Sequence, residues 1–292
     1  MSTLTAPPRS PAVNAATTGD YPLGAQDFAT IARMTHAHSG ITLNDGKRQL
    51  VYSRLAKQIR KRGLSGFPEF VALMQTDAEI RREAIFALTT NHTKLFRENH
   101  HFEHFAKHVR PGLVDAAERG RPVRLWSSAS SSGEEPYSLA MTMLGEERAM
   151  GAKLSQRDIA MLATDLAPHV LSVAKAGRYP ADMAKDVPDR YRKIWTRIDD
   201  GEMAMAPELK RIISYRQLNL LDPWPIRNKF DVIFCRNVMI YFDEPTKARL
   251  IERFAELLAP GSFLYIGHSE RVIGPATDAF EPVGNTIYRR RP

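Results

Sequence analysis

Cysteine is almost missing from this chain: Cys235 is the only one in 292 residues. That excludes an internal disulfide and any multi-cysteine zinc site, and it suits a reducing cytoplasm. A single apolar strand around it makes Cys235 a buried thiol without redox work. No apolar run approaches the roughly 18 residues of a membrane-spanning helix, so neither a spanning helix nor membrane insertion is expected. The first residues lack the apolar stretch of a secretory signal, so none is expected. A G-x-G-x-x-G fingerprint is missing, which leaves a dinucleotide phosphate site unsupported. No internal repeat is visible. What remains is globular in composition, 43% hydrophobic and 25% charged, with ample length for a core in one large or two ordinary domains.

Acid is scarce in one place. The formal charge is +8, and residues 40–66 concentrate it, with seven basic side chains against the single acid Asp45. On a helical projection Val51, Tyr52, Leu55, Ala56 and Ile59 share one arc. Lys47, Arg54, Lys57, Arg60 and Lys61 occupy the other. Arg48 and Leu50 fall on the wrong sides. The basic arc is either a solvated face or a docking surface for an acidic partner. A nucleic-acid partner is not expected, because no helix-turn-helix or zinc signature follows and no aromatics interleave with the charges.

Residues 1–22, rich in Pro, Ala and Ser/Thr, read as a disordered leader. Residues 23–95 read as a small helical bundle. Its first helix has Asp27 as cap, and the second is capped by Asn44 or Asp45 and stopped by Gly63. A third begins at Pro68 and a fourth near Asp77. From residue 121 strands alternate with helices. The strands are Val123–Ser127, Ile159–Asp165, Phe230–Arg236 and Phe263–Gly267, and the helices Pro136–Met150, Pro168–Ala176 and Pro245–Leu258. This predicts an α/β doubly wound, mostly parallel sheet with helices on both faces. Residues 177–215 break the rhythm and read as an inserted subdomain of short helical and β pieces.

Ligands of such a sheet sit beyond the carboxyl ends of its strands. There the first strand meets a loop of small residues, Ser127 to Gly133, which lets a ligand approach the backbone. Glu134 and Glu135 follow at a helix start, where they repel phosphate and suit a cationic or hydroxyl-bearing ligand, or simply complement the helix dipole. Asp165 ends the second strand, placed to take two ribose hydroxyls or to cap the next helix. Asn219 follows a third strand and can bond an adenine or ribose. Arg236 ends the fourth, and Asn237 and Tyr241 follow it. Five of nine histidines lie between His92 and His108. With no H-E-x-x-H arrangement and no cysteine nearby, no metal site is expected.

Several blocks together resemble the chemotaxis receptor methyltransferases of the CheR family. They are Ala87–Glu98 with its Asn91-His-Thr93-Lys-Leu-Phe-Arg97-Glu98, then Trp126–Tyr137 with Gly-Glu-Glu-Pro-Tyr, and Ala163-Thr-Asp165. Asn219-Leu220, Cys235–Phe242 and Gly267-His-Ser-Glu270 complete the set. They fall in order from about residue 25 to 289. The resemblance implies a class I S-adenosylmethionine-dependent methyltransferase domain over 96–292, preceded by a helical substrate-docking domain and carrying a small inserted β-subdomain. It implies cofactor contacts at Asn91, Thr93, Arg97, Glu135, Asp165, Asn219, Leu220, Arg236 and Asn237. The implied substrates are glutamates on the cytoplasmic helical bundle of chemoreceptors. The implied products are glutamate methyl esters and S-adenosylhomocysteine.

A glutamate carboxylate is already ionised at neutral pH, so attack on a sulfonium methyl needs no general base. The missing Ser-His-Asp or metal constellation is then expected, and catalysis rests on alignment and desolvation. Arg97 and Tyr241 are the expected catalytic residues. Arg54, Lys57, Arg60 and Lys61 are expected to dock the acidic receptor helix. Some family members also bind a receptor tether peptide through the inserted subdomain. Trp195–Glu202 lacks part of the associated glycine-containing loop, so tether independence is expected. Two other readings stand: a methyltransferase of this fold acting on another protein or a small carboxylate, and a non-catalytic S-adenosylmethionine sensor.

Overall fold

The computed structural model describes residues 21–292. The leader expected over residues 1–22 lies outside them apart from Tyr21 and Pro22. The described residues form two compact units. One runs through His38 and resumes over Thr42–Leu88, while the other comprises Ser39–Ile41 and Thr89–Pro292.

The first unit is helical, with α1 (Ala25–Ser39), α2 (Arg48–Lys61), α3 (Phe67–Thr76) and α4 (Ala78–Leu88). The apolar arc of α2 is its buried stripe: Val51, Leu55, Ala56 and Ile59 are buried, and Val51, Leu55 and Ile59 share a core with Phe28, Ile31, Phe67, Phe70, Met74 and Leu88. The Asn44 or Asp45 cap does not form, because a 3-10 turn over Asp45–Lys47 separates those residues from α2. Asp77 does cap: its Oδ1 accepts the N–H groups of Glu79 (2.7 Å) and Ile80 (3.2 Å). Arg48, misplaced on the helical projection, lays its guanidinium 4.9 Å from the Phe28 ring centroid and donates to the Leu23 carbonyl. Among the basic residues, Lys57, Arg60 and Lys61 are exposed. Arg54 is half-buried and donates to the Ala87 carbonyl at the end of α4.

The second unit is built on a seven-stranded sheet. Its strands are β1 (Val123–Ser127), β2 (Ile159–Asp165), β6 (Ile213–Gln217), β7 (Phe230–Cys235), β8 (Leu258–Ile266), β9 (Phe280–Gly284) and β10 (Ile287–Arg290). Their spatial order is β6-β2-β1-β7-β8-β10-β9. The first five are parallel neighbours, and the β9–β10 hairpin closes one edge antiparallel. β1 is buried on both faces, as a central parallel strand must be. Two apolar clusters occupy the two sides of the sheet. One is centred on Leu125, Tyr137, Met161, Phe234 and Trp195, the other on Trp126, Ile233, Phe254 and Leu264.

Ahead of β1 lie α5 (His100–His104), a π-helical turn over Phe105–Val109, and α6 (Arg110–Glu118). The expected helix Pro136–Met150 is two, α7 (Glu134–Leu144) and α8 (Arg148–Leu154), because Gly145 at φ +88° ends the first. α9 (Pro168–Ala176) follows β2. The insertion holds β3 (Arg178–Pro180), α10 (Asp189–Trp195), β4 (Thr196–Asp199) and β5 (Glu202–Met205). Those strands form a separate antiparallel sheet in the order β3-β5-β4. α11 (Pro207–Ile212) then leads into β6, so residues 213–215 belong to the main sheet rather than the insertion.

α12 (Glu244–Leu257) carries Asp243 as its N-cap, whose side chain accepts the Thr246 N–H at 2.9 Å. Asp243→Ala should lower stability by about 1 kcal/mol, the usual worth of such a cap, read as a lower urea midpoint at unchanged slope.

Candidate active site

The chain leaves β1 towards β2 and β6 on one side, and β7, β8 and the hairpin lie on the other. The reversal between β1 and β7 opens a crevice at their carboxyl ends. A cleft lies there, where ligands of such sheets bind. Asn91, Thr93, Arg97, Glu135, Asp165, Asn219, Leu220, Arg236, Asn237 and Tyr241 all line it. Separate segments of the sequence thus meet in one place.

The small-residue loop is folded by its own backbone. Ser128 N–H donates to the Phe234 carbonyl and Ser130 N–H to the Thr164 carbonyl, tying the loop to both flanking strands. Ser131 takes φ 47° and turns its N–H onto Asp165 Oδ2 at 2.8 Å. Asp165 Oδ1 accepts the Ala167 N–H at 3.0 Å. Both carboxylate oxygens are therefore fixed by backbone donors, and the group caps the turn into α9 while still lining the cleft. Burial pushes its pKa up against those hydrogen bonds. Gly133 holds φ +101°, and a Cβ there would lie 2.7 Å from Tyr179 Oη and 2.8 Å from Ala174 Cβ. No side chain fits. The two glutamates that follow diverge: Glu134 is buried and takes the Ser132 hydroxyl, whereas Glu135 faces the cleft.

Arg236 organises the opposite wall. Its side chain is 2% exposed. Nη1 lies 3.1 Å from Glu135 Oε2, Nη2 lies 3.4 Å from Glu98 Oε2, and Nη2 also donates to the Arg97 carbonyl. Glu135 Oε1 takes the Ser127 hydroxyl at 2.7 Å. Burial raises the Glu135 pKa, opposed by Arg236 and Ser127. Asn237 sits at φ 58° and donates its side-chain amide to Glu98 Oε1. Glu270, 4% exposed, accepts the N–H groups of Gly267, Asn237 and Ile240. That carboxylate ties down the turn presenting Asn237 and Tyr241. Arg97 has its guanidinium on the His92 carbonyl at 2.8 Å. Asn219 spends its side chain on its own turn, accepting from Leu221 N–H and donating to Asp222.

Three residues that organise the site had no role assigned from the sequence. Glu98 and Glu270 stand inside recognised blocks, yet only the fold shows that they bind Arg236, Asn237 and the turn after β7. Arg253 on α12 donates to the Leu220 and Asp222 carbonyls at 2.6 Å each and packs 3.5 Å over the Trp224 ring, fixing the loop that carries Asn219. An i,i+4 pattern on α12 gives no sign of that.

The histidines do not assemble. His100 and His101 reach the Asn285 carbonyl, His101 also reaches Thr286 Oγ1, and His104 Nδ1 meets the Tyr265 hydroxyl. Among the described residues no three potential ligands converge on a metal position.

The cleft offers carboxylates to a cation or to hydroxyls, small residues against which a flat ring can lie, and the guanidinium of Arg97 for a carboxylate. That donor set fits a ligand with sugar hydroxyls, a sulfonium and an amino-acid end. A family profile described as "CheR methyltransferase, SAM binding domain" matches residues 91–289, and "CheR methyltransferase, all-alpha domain" matches residues 26–89. This chain belongs to the CheR methyltransferase family. A probable chemotaxis protein methyltransferase from Rhizobium etli is 47% identical over 88% of this chain and 96% of its own length. Chemotaxis protein methyltransferase 2 of Pseudomonas aeruginosa is 38% identical over 90% and 92%. The Escherichia coli chemotaxis protein methyltransferase is 35% identical over 89% of each. As a CheR methyltransferase the protein is an S-adenosylmethionine-dependent enzyme. None of its helices among the described residues is long and apolar enough to cross a membrane.

His101 gives the site wall a pH signature. Burial and the Arg236 charge hold its pKa down to about 3, from an ordinary 6.5. The folded ring stays neutral while the unfolded ring takes a proton first. The stabilisation is therefore complete above pH 6.5 and is lost as pH falls towards 3. Urea stability should drop below pH 6.5 by up to about 1.4 kcal/mol per unit, and His101→Gln should flatten that slope.

Proposed function

We propose that this enzyme methylates glutamate side chains on the cytoplasmic helical bundle of chemoreceptors, giving glutamate methyl esters and S-adenosylhomocysteine. The observation that carries the reading is the convergence in one cleft of Asp165 and Glu135 on the acidic side with Arg97 and Tyr241 beside them. When bound, S-adenosylmethionine supplies a methyl group already activated by its sulfonium. The protein's work is then placement. Asp165, fixed by the Ser131 and Ala167 N–H groups, holds the ribose hydroxyls. Asn219 and Leu220 take the adenine side, while Asn91, Thr93, Arg236 and Asn237 hold the amino-acid end. Arg97 orients a carboxylate by a charged hydrogen bond. It positions rather than activates, since a tight ion pair would blunt the nucleophile. Tyr241, half-buried on the turn held by Glu270, places its hydroxyl at the reacting centre. No side chain has to remove a proton from a carboxylate that is already ionised.

The docking residues are Arg54, Lys57, Arg60 and Lys61 on α2, and their partner is an acidic receptor helix. The enzyme works independently of a receptor tether peptide, and it acts in the cytoplasm, where the receptor bundle lies.

Transfer from labelled S-adenosylmethionine to a purified receptor cytoplasmic fragment tests the reaction. The label should appear as a base-labile ester on glutamates, at equal rates with and without the receptor's C-terminal peptide. Arg97→Ala should abolish transfer while the protein stays folded. Label on other residues would overturn the substrate assignment, and binding without transfer would make the protein a sensor. Charge reversal at Lys57, Arg60 and Lys61 should raise KM for the fragment and leave cofactor affinity unchanged. It should reproduce the effect of high salt on the wild type.

A further inference from the structure

The inserted subdomain has no part in the chemistry described so far, and none of residues 178–205 lines the cleft. One of them nonetheless reaches the loop that carries Ser131. Tyr179 lies on β3, in register with Met203 of β5. Its side chain is buried in the core that the insertion shares with the main sheet. The ring meets that of Tyr137 edge to face, with centroids 6.1 Å apart. Its hydroxyl donates to the Ser132 carbonyl at 2.7 Å.

That carbonyl belongs to a peptide group held at both ends. The N–H of the same group, on Gly133, donates to the Ser130 carbonyl at 3.0 Å and closes a turn over residues 130–133. Ser131 is the first central residue of this turn, at φ 47°. The turn aims its N–H at Asp165 Oδ2. A positive φ is costly for serine and persists only where the surroundings enforce it. A peptide group bonded through its N–H alone can tilt, whereas one bonded at both ends cannot tilt without losing a hydrogen bond. The Ser132 hydroxyl is occupied separately, on Glu134, so it gives its own carbonyl no substitute. Burial, with Glu134 nearby, pushes the Tyr179 pKa well above the ordinary phenol value. The hydroxyl therefore keeps its proton, and stays a donor, at any working pH.

We propose that Tyr179 is a positioning residue for the cofactor: its hydroxyl locks the turn over residues 130–133 in the form that sets Asp165 for the ribose. The inserted subdomain thereby takes part in building the methyl-transfer site. This rests on the cofactor reading given above and goes beyond it, because Tyr179 lies outside the cleft and acts through Ser132 and Ser131. A loop that is ordered before binding costs the ligand nothing to order. A loop ordered only part of the time lowers the apparent affinity by that fraction, and once the cleft is filled the chemistry proceeds as before.

Tyr179→Phe keeps the ring and removes only the donor. Calorimetry with S-adenosylhomocysteine on the purified full chain should give a Kd about fivefold to tenfold above wild type, the range of one intramolecular hydrogen bond. With a purified receptor cytoplasmic fragment, KM for S-adenosylmethionine should rise by a similar factor. The kcat at saturating cofactor and KM for the fragment should stay within about twofold of wild type. A merely structural role would not give that split, since a preparation with fewer folded molecules loses kcat and keeps its Kd. Tyr137→Phe is the control. It removes a buried hydroxyl bond of the same kind, to the Ala174 carbonyl at 2.9 Å, without touching the loop. It should lower the urea midpoint and leave the Kd unchanged. An unchanged Kd in Tyr179→Phe, or an equal rise in Tyr137→Phe, would overturn the proposal. So would a Tyr179→Phe chain that circular dichroism shows unfolded, because the hydroxyl would then serve the fold as a whole. A wild-type chain that did not bind S-adenosylhomocysteine would instead remove the cofactor reading, and this inference with it.

Discussion

One buried guanidinium holds this site together. Arg236 reaches Glu135 at the start of α7, Glu98 after the irregular segment from Thr89, and the backbone of Arg97 itself. A charge with so little exposure is tolerable only when paired and hydrogen-bonded. The pairing therefore dictates where the start of α7 and the segment carrying Arg97 and Glu98 must lie relative to the end of β7. Arg236 also lies 5.5 Å from the Phe102 ring centroid and 5.9 Å from that of Phe234. The ion network thus packs against the hydrophobic core of the sheet.

Around this centre the division of labour is plain. Carboxylates that bond to backbone N–H groups, Asp165 and Glu270, set loop geometry. Carboxylates that bond to Arg236, Glu135 and Glu98, hold that guanidinium in place. The helical unit contributes a separate chemistry, a basic helix face built on its own apolar core, which suits a long acidic partner better than a small molecule.

Much of this was legible in the sequence because it follows from local rules. Parallel strands read as short β-rich runs, α2 announced itself by its two arcs, and the cleft residues sit where strands end. The rest depends on contacts distant in sequence. The β9–β10 hairpin is short and lacks a clear alternation. The π-helical turn at Phe105–Val109 leaves no residue signature, and Gly145 was too isolated to split a strong helical pattern. Glu98 and Arg236 are 138 positions apart, so neither could reveal the other. Glu270 looked like one more polar residue in a recognised block until its carboxylate was seen collecting three backbone donors.

Among the described residues, six that are not glycine adopt positive φ, and four of them (Phe96, Glu98, Ser131 and Asn237) lie in the segments that frame the cleft. Each is a conformation that its neighbours must enforce. Anyone transplanting the Arg97 or Asn237 side chain onto another doubly wound sheet would therefore inherit the residue and lose its direction. The unit of inheritance in this active site is the whole set of bent loops, and a graft that omits Glu98, Glu270 or Ser131 carries the letters without the spelling.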